Sequence, residues 1–411
     1  MPTDPFGLRR EQAINSSGVR DVFSPHRPIN RVELFFGREK EVGAIIEQIN
    51  TPGQHSLLYG DRGVGKSSLA NIASELLLGQ VIKGELYSYR CDSHSTFESI
   101  LARPLAEVGV DMSISSETKS SKSGGSAKLK VPIAEGGFGT ESTNTEERVS
   151  LRGNLTPSVA ADYLKSLPGL LVIDEADVIK KKVDKRHLAE FIKLLSDHDS
   201  ALKVLVVGVA ETGSILVDNH ESVGRCLRET KLRRMPEVEL SKIVTGGANQ
   251  VNLKFAGPVV RSIAKVSAGY PHFTHLLALK CAEDAVAESR KIINSEHLNL
   301  AIQKSIEDAE GSLTRTYSKA IRSYNTDMYR VVLCAAASLP KEEFTSKELR
   351  DEIKSQTGEE YSQGTIANYL KRLVSEGTGT ILRREAKGVY RFNDPRMPSY
   401  IKIANSMLPA A

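Results

Sequence analysis

Apolar residues in this chain fall into two kinds of run. Uninterrupted ones, Leu57 to Tyr59, Leu170 to Ile173 and Leu202-Lys-Val-Leu-Val-Val-Gly-Val209, are what strands of a parallel sheet covered on both faces require. Gly84 to Cys91 reads as a further strand. Other runs recur at helical spacing: Val42, Ile45, Ile46 and Ile49 lie on one face, as do Leu188, Phe191, Ile192 and Leu195. Thr96 to Val108 also reads as a helix. Strands alternating with helices predict an α/β core with a parallel sheet over residues 31–236.

Beyond that core the strand signal stops. Helical segments follow at Glu239 to Gly246, Pro258 to Ser267, Phe273 to Ser289 and Ser295 to Ala309, with Ser295 as the expected cap of the last, so residues 237–315 read as an all-helical lid. The remaining 316–411 read as a separate module. Helices are expected at Asp327 to Ala337, at Phe344 to Ile353 with Ser346 as cap, and at Gln363 to Ser375 with Ser362 as cap. Runs at Thr380 to Arg384 and Val389 to Phe392 flank Ala386-Lys387-Gly388 as a hairpin. Two segments lack any period. Residues 1–30, with several prolines and a Ser-Ser-Gly, read as a tail, and 111–156, dominated by Ser, Thr, Gly and charge, as a mobile insertion with room for a short hairpin near Lys128 to Phe138. An inert loop is the default for the insertion and a partner-binding segment the alternative.

The 411 residues suffice for two to four domains. No run of 18 apolar residues occurs and the start of the chain lacks a charged-then-apolar leader, so the expectation is a cytoplasmic protein with no membrane contact. Cys91, Cys226, Cys281 and Cys334 are too scattered for a zinc spacing and read as reduced structural thiols. The net charge of +4 decides little, but its distribution matters. Residues 371–402 hold eight Lys or Arg against three acids, whereas 341–360 hold four against seven. A basic end opposed to an acidic front is an electrostatic footprint for a phosphate backbone.

Chemistry concentrates in Gly60-Asp-Arg-Gly-Val-Gly-Lys-Ser67, a glycine-rich loop between a strand and a helix. Polyphosphate needs converging backbone N–H groups. Gly60, Gly63, Val64, Gly65, Lys66, Ser67 and Ser68 form such a cradle, with Lys66 for the β- and γ-phosphates and the Ser67 hydroxyl for Mg2+. A hundred residues on, the apolar run to Ile173 ends in Asp174 and Glu175. In phosphate-loop enzymes the first acid holds Mg2+ and the next polarises the attacking water. Taken alone, a solvated acidic turn is the alternative.

These motifs, with Phe35-Phe36-Gly37-Arg38-Glu39 before the first helix, resemble the AAA+ ATPases, most closely the branch shared by origin-recognition initiators and STAND signalling ATPases. The resemblance implies an αβα parallel-sheet core, a helical lid, a C-terminal winged helix, ATP and ADP as ligands with Mg2+, and a homo-oligomer. It implies a base pocket at Phe35, Gly37 and Arg38 with Phe36 beside them, a helix cap being the alternative. Sensor 1 should end the strand at Gly208-Val209-Ala210-Glu211-Thr212, which has no Asn, Ser or Thr before Thr212. An arginine finger falls to Arg225, then Arg228, in the basic run 224–234, with a solvated helix face or a structural ion-pair network as competitors. The sensor 2 turn has His272 where many relatives have Arg, and a satisfied polar histidine is the alternative. On double-stranded DNA, Thr365 and Asn368 would face bases, and Lys371, Arg372, Arg383, Arg384 and Lys387 phosphates. Two functions stay open: a DNA-binding ATPase of initiator or transposition-regulator type, and a signalling or defence switch acting on an effector protein.

Overall fold

The computed structural model describes residues 8–111, 149–150, 155–209, 223–307, 311–323, 326–341, 343–378 and 380–405. Glu211, Thr212 and the hairpin expected near Lys128 lie outside them. The core runs α3 (Glu39–Asn50), β1 (His55–Tyr59), α4 (Lys66–Gln80), β2 (Glu85–Arg90), α5 (Phe97–Glu107), β3 (Val110–Asp111), β4 (Val149–Ser150), α6 (Pro157–Leu164), β5 (Gly169–Asp174), α7 (Lys182–Asp197), β6 (Leu202–Gly208) and β7 (Leu227–Lys231), after α1 (Leu8–Ser17) and α2 (Val19–Val22). Five strands form one sheet in the order β2-β5-β6-β1-β7, every pair parallel. The expected αβα core is present. Leu57 and Leu58 are both fully buried yet belong to different apolar layers, which is why the strand runs apolar without alternation.

The lid follows as α8 (Glu237–Gln250), β8 (Lys254–Phe255), α9 (Gly257–Ser267), α10 (Pro271–Ala287), β9 (Ile292–Ile293) and α11 (Ser295–Glu307). It matches the expected helical segments, except that α11 is capped by Asn294, whose Oδ1 accepts from the amides of Glu296 and His297, rather than by Ser295. The C-terminal elements are α12 (Gly311–Ile321), α13 (Met328–Ser338), β10 (Glu343–Thr345), α14 (Ser346–Thr357), α15 (Gln363–Val374), β11 (Leu382–Ala386), β12 (Val389–Phe392) and α16 (Met397–Asn405). The expected hairpin forms between β11 and β12, and β10 adds a third strand in the order β10-β12-β11. Ser362 caps α15 as expected, but Thr345, not Ser346, caps α14 through a reciprocal box with Glu348.

Two further expectations are corrected, and one alternative is removed. Residues 8–29 are not a loose tail: Ile14, Val19 and Phe23 are buried, and α1 and α2 dock on α10. Their apolar positions lie on either side of Gly18, which takes a left-handed φ of 74° and breaks the period. Nor is the C-terminal module separate. Its core is continuous with that of the lid, and the Ser399 hydroxyl on α16 donates to the Ser267 carbonyl at 2.9 Å. The basic run 224–234 is not a helix face, since residues 227–231 form the edge strand β7, where charged side chains reach solvent. The cysteines are free as expected, with Cys91, Cys226 and Cys281 buried.

The inner face of α8 carries Gly246 and Gly247 side by side. Each costs about 1 kcal/mol against alanine inside a helix. Packing gives the reason: a Cβ at 246 would stand 2.4 Å from the Phe36 ring and one at 247 would stand 2.5 Å from the Phe23 ring.

Candidate functional site

A cleft of about 630 Å³ opens between the carboxyl ends of the strands and the lid. In an open parallel sheet, ligands gather where neighbouring connections run opposite ways, and β1 lies at such a point. The loop after β1 is shaped by its glycines. Gly63 and Gly65 take φ of 86° and 98°, and a Cβ on Gly60 would stand 2.4 Å from the Leu232 carbonyl oxygen. Val64 is buried and pins the loop, so that the N-terminus of α4 faces the cleft. Lys66 is buried, its Nζ donating to the carbonyls of Gly60 at 3.1 Å and Asp61 at 2.8 Å. Burial pulls its pKa below the usual lysine value, while Asp177, Asp174 and Asp61 pull it back up.

Ser67 and Asp174 line this cleft as hard oxygen donors, which suits Mg2+, an ion commonly held by one or two side chains plus substrate phosphates. Glu175 sits beside Asp174 with a left-handed φ of 56°, its amide donating to Asp174 Oδ1 at 2.9 Å. Its carboxylate is held by Arg90 of the neighbouring strand β2 at 2.6 Å, and that bond keeps its pKa below the usual range. Asp177 accepts from the Val209 amide at 2.7 Å and so fixes the end of β6, where sensor 1 was expected.

The far wall comes from the N-terminal arm and the lid. Phe35 and Phe36 both line the cleft, the latter seated on Gly246. Gly37 packs against Glu239 of α8. Arg38 is buried at the start of α3, bonded to Glu41 at 2.7 Å and to the Arg233 carbonyl, so its guanidinium serves as a clamp as well as lining the cleft. Residues 24–29 cross the opening: the Ile29 amide donates to Ser68 Oγ at 3.0 Å, and Pro25 O lies 2.8 Å from His272 Nδ1. His275, one turn on, lines the same wall, and burial, with His272 second, pushes its pKa down to about 4.

Other expected residues lie elsewhere. Arg225 and Arg228 stand near the start of β7, the end of the sheet away from the phosphate loop, where Arg225 meets Asp197 at 3.5 Å and Arg228 meets Gln54 at 3.3 Å. On α15, Asn368 and Lys371 are exposed, and Thr365 is half-buried beside the Ser362 cap. Arg372 is corrected as a phosphate contact: it stacks over Tyr329 at 4.0 Å and donates to the Arg322 carbonyl at 2.6 Å. Arg383 pairs with Glu385, while Arg384 and Lys387 stand exposed on the hairpin.

Among the residues that line the cleft, Asp177, His275 and Arg396 escaped the sequence reading, as did Arg90, which bonds Glu175 from the neighbouring strand. Asp177 had a signal, since it is a third acid just after Asp174 and Glu175. Arg90 ends the strand beside β5, a register that only the folded sheet reveals.

A family model described as novel STAND NTPase 1 matches residues 28–378. No curated protein matches. Among solved structures, Cdc6p from Pyrobaculum aerophilum is 15% identical with a TM-score of 0.46, covering 95% of this chain and 99% of its own. The Aeropyrum pernix ORC2 protein, in ADPNP and ADP complexes, is 16% identical with a TM-score of 0.49, covering 94% of this chain and 97% of its own. The RuvB Holliday junction branch migration motor of Thermotoga maritima is 15% identical with a TM-score of 0.44, covering 89% and 95%.

Proposed function

The chain belongs to the novel STAND NTPase 1 family, and from that premise we propose an ATP-driven switch that binds ATP with Mg2+, hydrolyses it, and assembles on double-stranded DNA through its C-terminal module. The observation that carries the nucleotide part is the convergence of Lys66, Ser67, Asp174, Glu175 and Asp177 on one cleft. In this reading Lys66 meets the β- and γ-phosphates, Ser67 and Asp174 hold the ion, and Glu175 polarises the attacking water once it leaves Arg90. His272 anchors the arm over the ligand.

Three helices with the β10-β12-β11 sheet are read as a winged helix. Thr365 and Asn368 on α15 would face bases, while Lys371, Arg384 and Lys387 would neutralise phosphates. Duplex affinity measured at two salt concentrations tests it. Wild type should lose affinity steeply as salt rises, and Arg384→Glu with Lys387→Glu should weaken every duplex similarly and flatten that slope by about two. No measurable binding at low salt ends the DNA reading.

A second reading, control of a protein partner, is favoured by the contact between the module and the phosphate loop: Arg391 on β12 lies 3.7 Å from Asp61. Under it the same charge reversal alters basal ATP turnover and leaves DNA retention unchanged. Arg225 and Arg228 are too far along β7 to serve their own cleft, so a finger role requires a neighbouring copy. Arg225→Ala mixed with Lys66→Ala should then recover hydrolysis, and a mixture that assembles without recovering it makes Arg225 structural.

A further inference from the structure

Arg62 occupies a position of the phosphate loop that the motif leaves open: in Gly60-Asp-Arg-Gly-Val-Gly-Lys-Ser67 the glycines, the lysine and the serine have assigned tasks and residue 62 has none. It lines the cleft together with Lys66, Asp174 and Glu175. The other lysine and arginine residues lining that cleft are engaged. Arg27 bonds Asp21 at 2.9 Å, Arg38 bonds Glu41 at 2.7 Å, Lys66 donates to two loop carbonyls, and Arg396 bonds Asp394 at 2.9 Å. Arg62 is exposed and makes no hydrogen bond or ion pair among the described residues. Its charge is felt on both sides of the reaction centre. Glu175, whose pKa is lowered first by its bond to Arg90, is lowered further by Arg62, and Lys66, lowered first by burial, is also lowered by Arg62.

Hydrolysis joins the water oxygen to the γ-phosphorus and breaks that phosphorus from the β–γ bridging oxygen, which keeps the electron pair. The water gives one proton to Glu175, which passes it to the released phosphate. Negative charge grows on the bridging and γ-oxygens meanwhile, and a guanidinium fork is well matched to it. Arg225 and Arg228, which the sequence pointed to for this task, stand at the other end of the sheet, and His272 is taken up by the Pro25 carbonyl. A merely solvated cation at position 62 would repel Lys66 for no gain, whereas an anion held between the two turns that repulsion into a clamp.

We propose that Arg62 is a catalytic residue acting on the γ-phosphate of the nucleotide bound in its own chain, which it contacts more strongly in the transition state than in the ground state. The inference rests on the nucleotide reading of the cleft and adds a residue to its chemistry. A guanidinium built into the loop gives each copy its own source of transition-state charge, whatever a neighbouring copy supplies.

Full-length wild type, Arg62→Ala and Arg62→Lys test this when each is followed in single-turnover ATP hydrolysis and titrated with ADP, alone and with aluminium fluoride as a mimic of the transferring phosphoryl group. Arg62→Ala should hydrolyse ATP about 100-fold more slowly, bind ADP within about twofold of wild type, and lose the extra affinity that aluminium fluoride gives wild type. Arg62→Lys, a point charge without the fork, should recover part of the rate. A mixture of Arg62→Ala with Lys66→Ala should recover nothing, since each copy needs its own Arg62. Hydrolysis at the wild-type rate in Arg62→Ala overturns the proposal. So does a matching loss of ADP affinity, which marks a residue that only shapes the cradle, and so does recovery in the mixture, which places Arg62 in trans. Wild type that binds ADP but neither hydrolyses ATP nor tightens with aluminium fluoride overturns it as well. Wild type without measurable ADP binding sinks the nucleotide reading itself, a different outcome. Should Arg62→Ala not fold, Arg62→Gln in the same assays decides.

Discussion

The N-terminal arm, residues 8–29, and the C-terminal elements from Gly311 onward reach one cleft from different sides by unlike chemistry. The arm is seated at the cleft by apolar burial, with ion pairs from Arg10 to Asp284 and from Arg20 to Glu283 holding its helices to α10. Phe23 fits over Gly247 and meets Phe255 and His275 edge-on, at centroid distances of 6.2 and 6.3 Å. The C-terminal elements meet the phosphate loop through arginines, Arg391 on Asp61 and Arg396 on Gly63. Apolar contacts are indifferent to what charge the cleft holds, whereas guanidinium contacts are not. One side of the site therefore sets its shape, and the other is free to respond to its contents.

Removing the arm's anchor should have the largest effect. Phe23→Ala deletes a fully buried ring and is expected to cost about 3–5 kcal/mol of unfolding free energy, read by denaturant titration. A loss below about 1 kcal/mol would mean the arm is not seated as described.

Acid should act next, and on the same side. His275 has its pKa lowered from 6.5 to about 4, so the unfolded chain binds a proton that the folded one refuses between those values. Stability is full above about 6.5, falls as pH drops, and levels below about 4, by up to about 3 kcal/mol. His275→Phe should flatten that portion of the curve. Buried His55, lowered to about 3, contributes a slope of the same sign that this variant leaves in place.

The smallest effect belongs to the charged side. Arg391→Ala removes two 3.7 Å pairs, with Asp61 and with Glu385, and should cost about 1 kcal/mol in stability. Its signature is instead a faster exchange of β12 amides. If Arg391→Ala destabilised the fold as much as Phe23→Ala, the contrast between the two sides would fail.

The phosphate loop and the Asp174–Glu175 pair were legible because their chemistry dictates local sequence: a polyphosphate cradle needs glycines at fixed spacing, and a buried parallel strand needs an apolar run. The lid and the α13–α15 helices were legible from their period. What the chain concealed were contacts between distant segments. Nothing near Arg90 announces that β2 will lie beside β5 and bring it to Glu175, and nothing in Asp394-Pro395-Arg396 points to Gly63. Charged β7 gave no strand signal because an edge strand tolerates polar residues, so a solvated helix face stood as one alternative for that run. In the arm, Gly18 interrupts the apolar spacing, so a docked segment resembled a loose one.

The arm's clasp has a consequence for the order in which the molecule is made. Arg10 bonds Asp284 across 274 residues of chain, and Lys304 joins the same carboxylate. On a ribosome adding about 5–20 residues per second, Asp284 emerges roughly 14 to 55 s after Arg10. The arm, synthesised well before its partner helix, is thus among the last segments to settle. During that interval the phosphate loop and the Asp174 strand are already out, so a nascent core has time to capture its ligand before the arm closes over it.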